Sequence, residues 1–254
     1  MVTGLDKFAN HFTDFKDCYA LIAGSACFLI LTDAGLSARA TKDLDIVLCI
    51  ERFHADFAKA IWDFLEKGQY KSWQSDDGNM HYFRFVEPGD SHYPFKLELF
   101  SRIPDALLLQ GNSRYTPIPV DDEISSLSAI LMNDDYYTLV KDGKTELNNI
   151  SIVKAEYLIP LKMKAWIDLT NRKNSGVHVN SDDIAKHRSD IFRLFAVLST
   201  DTEIPLEDSV IQDMKEGINR LKANPHLNLK DFGLRKASVN EVVDTLTRIY
   251  GLGA

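Results

Sequence analysis

The chain has 254 residues, 45% hydrophobic and 26% charged, with a formal net charge of −8; this composition belongs to one large folded domain or two small ones and argues against a disordered chain. Such an acidic balance disfavours general binding to nucleic acid or to anionic membrane, since both rest on neutralising phosphates with positive charge. The three cysteines, Cys18, Cys27 and Cys49, are odd in number and form no C-x-x-C pair; they read as free thiols in a reducing compartment, and a disulfide framework is not expected.

The opening MVTGLDKFANHFTDF has no apolar run behind a basic start, and the longest apolar stretch, residues 26–31, is too short to cross a bilayer. A cytoplasmic protein with no membrane partner is expected. Leu5, Phe8, Phe12 and Phe15 recur at helical spacing and predict a first amphipathic helix over 4–16. Residues 19–23 form a short apolar run that stops at Gly24-Ser25, as a buried strand ending in a tight turn does. A helix over 26–34 follows, closed by Gly35. Residues 43–50 open with two acids and become continuously apolar, as a strand covered on both faces does.

Phe53, Phe57, Ile61, Phe64 and Leu65 mark a second core helix ending at Gly68, with strands expected at 81–87 and 95–101. A short helix is expected over 121–133, and Asp142-Gly143 reads as a two-residue hairpin turn. From residue 155 the pattern is helical, with Pro160 placed in a first turn and helices at 183–198, 206–222 and 238–250. Ser238 and Glu241 have capping-box spacing. The fold class is therefore α/β (α+β): a small mixed sheet with flanking helices over 1–155, followed by a helical domain over 156–254.

The most informative stretch is Asp43-Leu44-Asp45. On a strand, residues two apart share a face, and two adjacent carboxylates repel unless a cation lies between them. Magnesium suits such a site, because it takes carboxylate oxygens together with substrate phosphates. Gly24-Ser25 lies one helix upstream, where a glycine lets the backbone approach a phosphate and helix N–H groups face the anion. Arg39, Thr41 and Lys42 crowd the approach to the acids, and Glu98 supplies a third carboxylate from the alternating strand Lys96-Leu97-Glu98-Leu99. Two metal ions about 3.5–4 Å apart need ligands from more than one strand, and Asp43, Asp45 and Glu98 could supply them.

The segments Ala23-Gly-Ser-Ala26 and Ala40-Thr-Lys-Asp-Leu-Asp-Ile-Val47, with Lys96-Leu97-Glu98-Leu99, resemble the polymerase-beta-like nucleotidyltransferase superfamily, and within it the AbiEii-type proteins of abortive-infection and toxin–antitoxin systems. The likeness spans roughly residues 19–195, with Leu158-Ile-Pro-Leu161-Lys162-Met-Lys-Ala165 matching an L-x-x-L-K-x-x-A helix and Lys186-His-Arg-Ser-Asp190 matching K-D-x-x-D. Gly-Ser stands for the commoner Gly-Gly, Glu98 for an aspartate, His187 for the first acid of the last motif, and the gap from Ser25 to Asp43 is longer than in minimal members.

The resemblance implies transfer of a nucleoside monophosphate from a triphosphate to an acceptor hydroxyl on a tRNA, a protein or a small molecule. Asp43, Asp45 and Glu98 would hold two magnesium ions, with Glu98 helping to deprotonate the acceptor. Gly24 and Ser25 would cradle phosphates beside Arg39 and Thr41, and Lys162 would offset phosphate charge while Lys164 points to water. The resemblance admits an antitoxin partner. The alternative is a catalytically inactive member of the fold that binds nucleotide or another protein.

Other signals carry less. Asp231-Phe232-Gly233 spells a kinase tripeptide, but the chain has no G-x-G-x-x-G loop or H-R-D segment, so it reads as a loop. The seven histidines include no H-x-x-x-H pair, which makes a zinc site improbable, and His187 reads as capping or solvating its helix.

Overall fold

The computed structural model describes residues 2–75, 82–102, 116–118, 127, 129–224 and 227–253. The chain divides into a sheet unit, Met1–Leu29 with Ala38–Asp121 and Lys144–Val153, and a helical unit, Ile30–Ser37 with Asp122–Gly143 and Lys154–Ala254. The class is mixed α/β, with a mixed sheet and flanking helices.

The strands are β1 (Tyr19–Ile22), β2 (Asp43–Leu48), β3 (Lys71–Ser75), β4 (Tyr82–Val86), β5 (Lys96–Phe100), β6 (Thr116–Ile118), β7 (Lys144–Leu147) and β8 (Ile150–Val153). They form one sheet in the order β6-β3-β4-β5-β2-β1-β8-β7. β1 runs antiparallel to β2, β2 parallel to β5, and β5 antiparallel to β4. The two central strands β2 and β5 are thus buried mid-sheet, which accounts for the near-continuous apolar run after Asp45.

One face of the sheet is covered by the helices α1 (Leu5–His11) and α3 (Ala55–Lys67). Ile46, Leu48, Leu97 and Leu99 project to that face and meet Phe8, Phe12, Phe57 and Phe64. The rings of Phe8, Phe12 and Phe64 lie 4.6–5.8 Å apart in tilted or edge-on pairs. A small void remains among these side chains; its lining is apolar and aromatic and holds no charged group, so it is a packing gap in the core. Period-2 alternation leaves Asp43, Asp45 and Val47 on the opposite face.

Several local expectations are corrected. The helix α2 (Ala23–Asp33) starts directly at the end of β1, so Gly24 and Ser25 lie in its first turn, and the chain reverses at Ala23, whose φ is +50°. Asp142-Gly143 is no hairpin: Asp142 ends the helix α4 (Asp134–Asp142) and Gly143 caps it, against the Tyr157 side chain. The hairpin lies six residues on, between β7 and β8, where Asn148 and Asn149 both take positive φ, as the mirror-image two-residue turn requires. The expected helix over 121–133 falls mostly outside the described residues.

The helical unit contains α4, α5 (Ala155–Asn174), α6 (Ser181–Phe195), α7 (Asp208–Lys222) and α8 (Val239–Ile249). α5 packs against α4, α6 and α7. At its crossing with α7, Gly217 leaves room for Met163: a Cβ there would lie 2.2 Å from its sulfur. Ser238 and Glu241 close the expected capping box of α8. Asp231-Phe232-Gly233 is a 3-10 turn closed by a left-handed glycine, with Phe232 stacked on Phe192 at 5.5 Å. No helix among the described residues is long and apolar enough to cross a membrane.

Candidate active site

The site grows from the register of three strands. β2 and β5 align Asp43 with Lys96 and Asp45 with Glu98, and β4 and β5 align Arg84 with Glu98. Residues in register on neighbouring strands project to the same face, so all five side chains meet on the face opposite α1 and α3. Each strand contributes them by alternation: Leu44, Leu97, Phe83 and Phe85 point into the core while the charged residues between them point away.

Asp45 and Glu98 are 8% and 4% exposed, and their carboxyl groups are hydrogen-bonded to each other. Burial pushes the Asp45 pKa above the ordinary aspartate value, and the neighbouring Glu98, by its charge and as a hydrogen-bond partner, pushes it further, against the opposing pull of Lys96. Glu98 Oε1 also accepts from Arg84, Nε at 2.8 Å and Nη2 at 2.7 Å. The Lys96 ammonium lies 3.2 Å from the same oxygen and 3.1 Å from Asp43 Oδ2. Arg84 and Lys96 thus bring two positive groups up to the acids.

The first turn of α2 closes one side. β1 pairs Ile22 with Asp45, so the residues after Ile22 lie level with the start of β2. A Cβ on Gly24 would approach Thr41 Oγ1 to 3.4 Å and Arg39 Nη2 to 3.5 Å. Gly24, Arg39 and Thr41 are therefore brought together, as expected. Thr41 Oγ1 also accepts a long 3.4 Å bond from the Asp43 N–H, fixing the loop to the acid strand. Ser25 is buried, and its hydroxyl donates to the Ile22 carbonyl at 3.0 Å.

No family model and no curated protein matches this chain.

The acids and the lysines are each tied to a partner. Among the described residues, no group of three or more His, Cys, Asp or Glu side chains is arranged to hold a metal ion. Asp43 is paired with Lys96, and Asp45 with Glu98. The hard oxygen donors of Asp45 and Glu98 suit a magnesium ion when both are ionised. Lys162 sits in the helical unit at 3% exposure, with Nζ 2.8 Å from Asp190 Oδ2 of α6. Lys164 is not solvated: it is half-buried, bonded to Asp213 at 3.0 Å and to Asp168 at 3.3 Å. His187, expected to cap or solvate its helix, is buried in α6.

Arg84 and the role of Lys96 escaped sequence reasoning. The signal for Arg84 was the lone charge in Tyr82-Phe-Arg-Phe-Val86, an alternating strand; its partner depends on register, which the sequence does not print.

Proposed function

We propose that the chain is a polymerase-beta-like nucleotidyltransferase of the AbiEii type, which transfers a nucleoside monophosphate from a triphosphate to an acceptor hydroxyl. The observation that carries this reading is the buried Asp45–Glu98 pair on adjacent parallel strands, level with the first turn of α2. Two carboxyls buried side by side repel when both are ionised, and a site that keeps them together suits a positive group between them. Asp45 and Glu98, joined by Asp43, would hold the two magnesium ions. When bound, those ions neutralise the phosphates and sharpen the acceptor oxygen.

The protein's own groups supply position and charge. Gly24 lets backbone N–H groups of α2 approach the phosphates, and the Arg39 guanidinium beside it gives a planar fork for them. The acceptor oxygen attacks the α-phosphorus, the bond to the β-phosphate oxygen breaks, pyrophosphate leaves, and the hydroxyl proton passes to a carboxylate of the set. The acceptor is a hydroxyl of a tRNA, a protein or a small molecule, and an antitoxin protein is a candidate partner.

One observation favours a second reading. Arg84 and Lys96 already balance the acids, as they would in a catalytically inactive member of the fold that binds nucleotide or protein. The two are separated by incubating the protein with each α-labelled triphosphate and magnesium, with tRNA, a cell extract and no acceptor in turn. Label transfer with pyrophosphate release, lost in Asp45→Asn, is the expected result. Magnesium-dependent binding without turnover favours the inactive reading, and no nucleotide binding under any condition sinks both.

A further inference from the structure

Lys96 stands where an incoming cation has to go. Its ammonium reaches Asp43 Oδ2 at 3.1 Å and Glu98 Oε1 at 3.2 Å, spanning two of the three acids. Arg84 is placed differently. It approaches from β4, its side chain is 12% exposed, and two of its nitrogens converge on Glu98. The Lys96 side chain is 22% exposed and borders solvent. A lysine carries a compact charge on a flexible stem with several rotatable bonds, whereas the arginine fork is rigid. Of the two cations, Lys96 is the one that can leave.

We propose that Lys96 is a resident counter-ion that occupies the space between Asp43 and Glu98 in the nucleotide-free protein and must swing out before a divalent ion can enter. A divalent ion arriving alone meets a positive charge already in place, and the ammonium it displaces has no new partner. A triphosphate supplies that partner, because its phosphates can receive the freed ammonium. Metal and nucleotide therefore bind together: each raises the affinity for the other by the same factor. The device keeps the acids in order between turnovers and restricts the metal to times when substrate is present. This inference rests on the nucleotidyl-transfer reading.

The test uses the full chain and Mn2+ as the probe, with free ion followed by electron paramagnetic resonance in the absence of nucleotide. Wild type is expected to bind Mn2+ weakly. Lys96→Met is expected to bind it at least tenfold more tightly, and Lys96→Arg to resemble wild type. Thermal unfolding checks each variant, and Lys96→Gln, which is polar but uncharged, replaces the methionine variant if that one does not fold. In parallel, fluorescent analogues of the four triphosphates are titrated singly, with and without Mn2+; their binding to wild type is expected to depend strongly on the ion, and the dependence to shrink in Lys96→Met.

The outcomes separate the two ideas. Tight Mn2+ binding by nucleotide-free wild type, or equal Mn2+ affinity in wild type and the uncharged variants, overturns the role of Lys96. If triphosphate binding to wild type still needs the ion, the nucleotidyl-transfer reading survives that result. If no variant binds Mn2+ and triphosphate binding is indifferent to it, both fall together.

Discussion

The Asp45 pKa is raised by two causes that act in the same direction: burial removes water from its charge, and the Glu98 carboxylate beside it repels that charge. The folded protein thus binds a proton that the unfolded chain gives up near the ordinary value of 3.8. Wherever the folded state holds more protons, stability falls as pH rises. The loss begins as pH passes the ordinary aspartate range and is complete above the raised folded value. Asp45→Asn fixes a neutral side chain that can still donate to Glu98, and should remove the loss. We expect the variant to match wild type near pH 4 and to be more stable at pH 8 by roughly 1–2 kcal/mol, read from urea midpoints at both pH values. A variant less stable than wild type at pH 8 would mean that the Asp45 pKa is not raised. The aspartates and Glu98 were legible in the sequence because a period of two places them on one face. Their partners Arg84 and Lys96 were not, because cross-strand register is set by the whole sheet and is absent from any one strand.

Secondary-structure elements show the same division between local and distant causes. The α8 capping box was readable because Ser238 and Glu241 stand three apart in one turn. The start of α2 was misread because Gly24-Ser25 has the chemistry of a turn, while the reversal is made one residue earlier by Ala23 in a left-handed conformation that non-glycine residues seldom adopt. Pro160 lies in the second turn of α5, not its first, and lacks the N–H that would bond the Glu156 carbonyl four residues back. That carbonyl is recovered from ninety residues away in sequence: Tyr250 Oη donates to it at 2.5 Å. Tyr250 is 2% exposed, and burial pushes its phenol pKa upward, so it remains a donor. Tyr250→Phe should leave the Glu156 carbonyl without this donor and cost about 1–3 kcal/mol, measured by chemical denaturation. In a Pro160→Ala background the helix regains its own N–H, and the same substitution should cost markedly less. Equal cost in both backgrounds would show that the tyrosine acts by packing alone.

At the scale of the whole molecule, the two halves use charge differently. The sheet unit gathers Asp43, Asp45, Glu98, Arg84 and Lys96 on one face. The helical unit spends its buried charge on joining helices: Lys162 of α5 meets Asp190 of α6, which also holds Arg193 at 3.3 Å, and Lys164 meets Asp213 of α7, which in turn accepts from Tyr136 of α4 at 2.9 Å. The L-x-x-L-K-x-x-A match at Lys162 and the K-x-x-x-D match at Asp190 converge on this pair. Sequence spacing could place Lys162 beside the apolar stripe of its helix, yet could not say which acid it would find there, because the partner comes from another helix. Removing one member of a buried ion pair strands the other charge, which typically costs 3–5 kcal/mol, whereas replacing both by apolar groups of similar volume is often neutral. Lys162→Met alone should therefore lower stability by about 3 kcal/mol, and Lys162→Met combined with Asp190→Leu should recover most of that loss. Nucleotide binding by the double variant, measured at a temperature where it is folded, should equal wild type. A double variant that is as stable as wild type but has lost triphosphate binding would return Lys162 to the nucleotide site; one that regains both stability and binding assigns the lysine to the helical core.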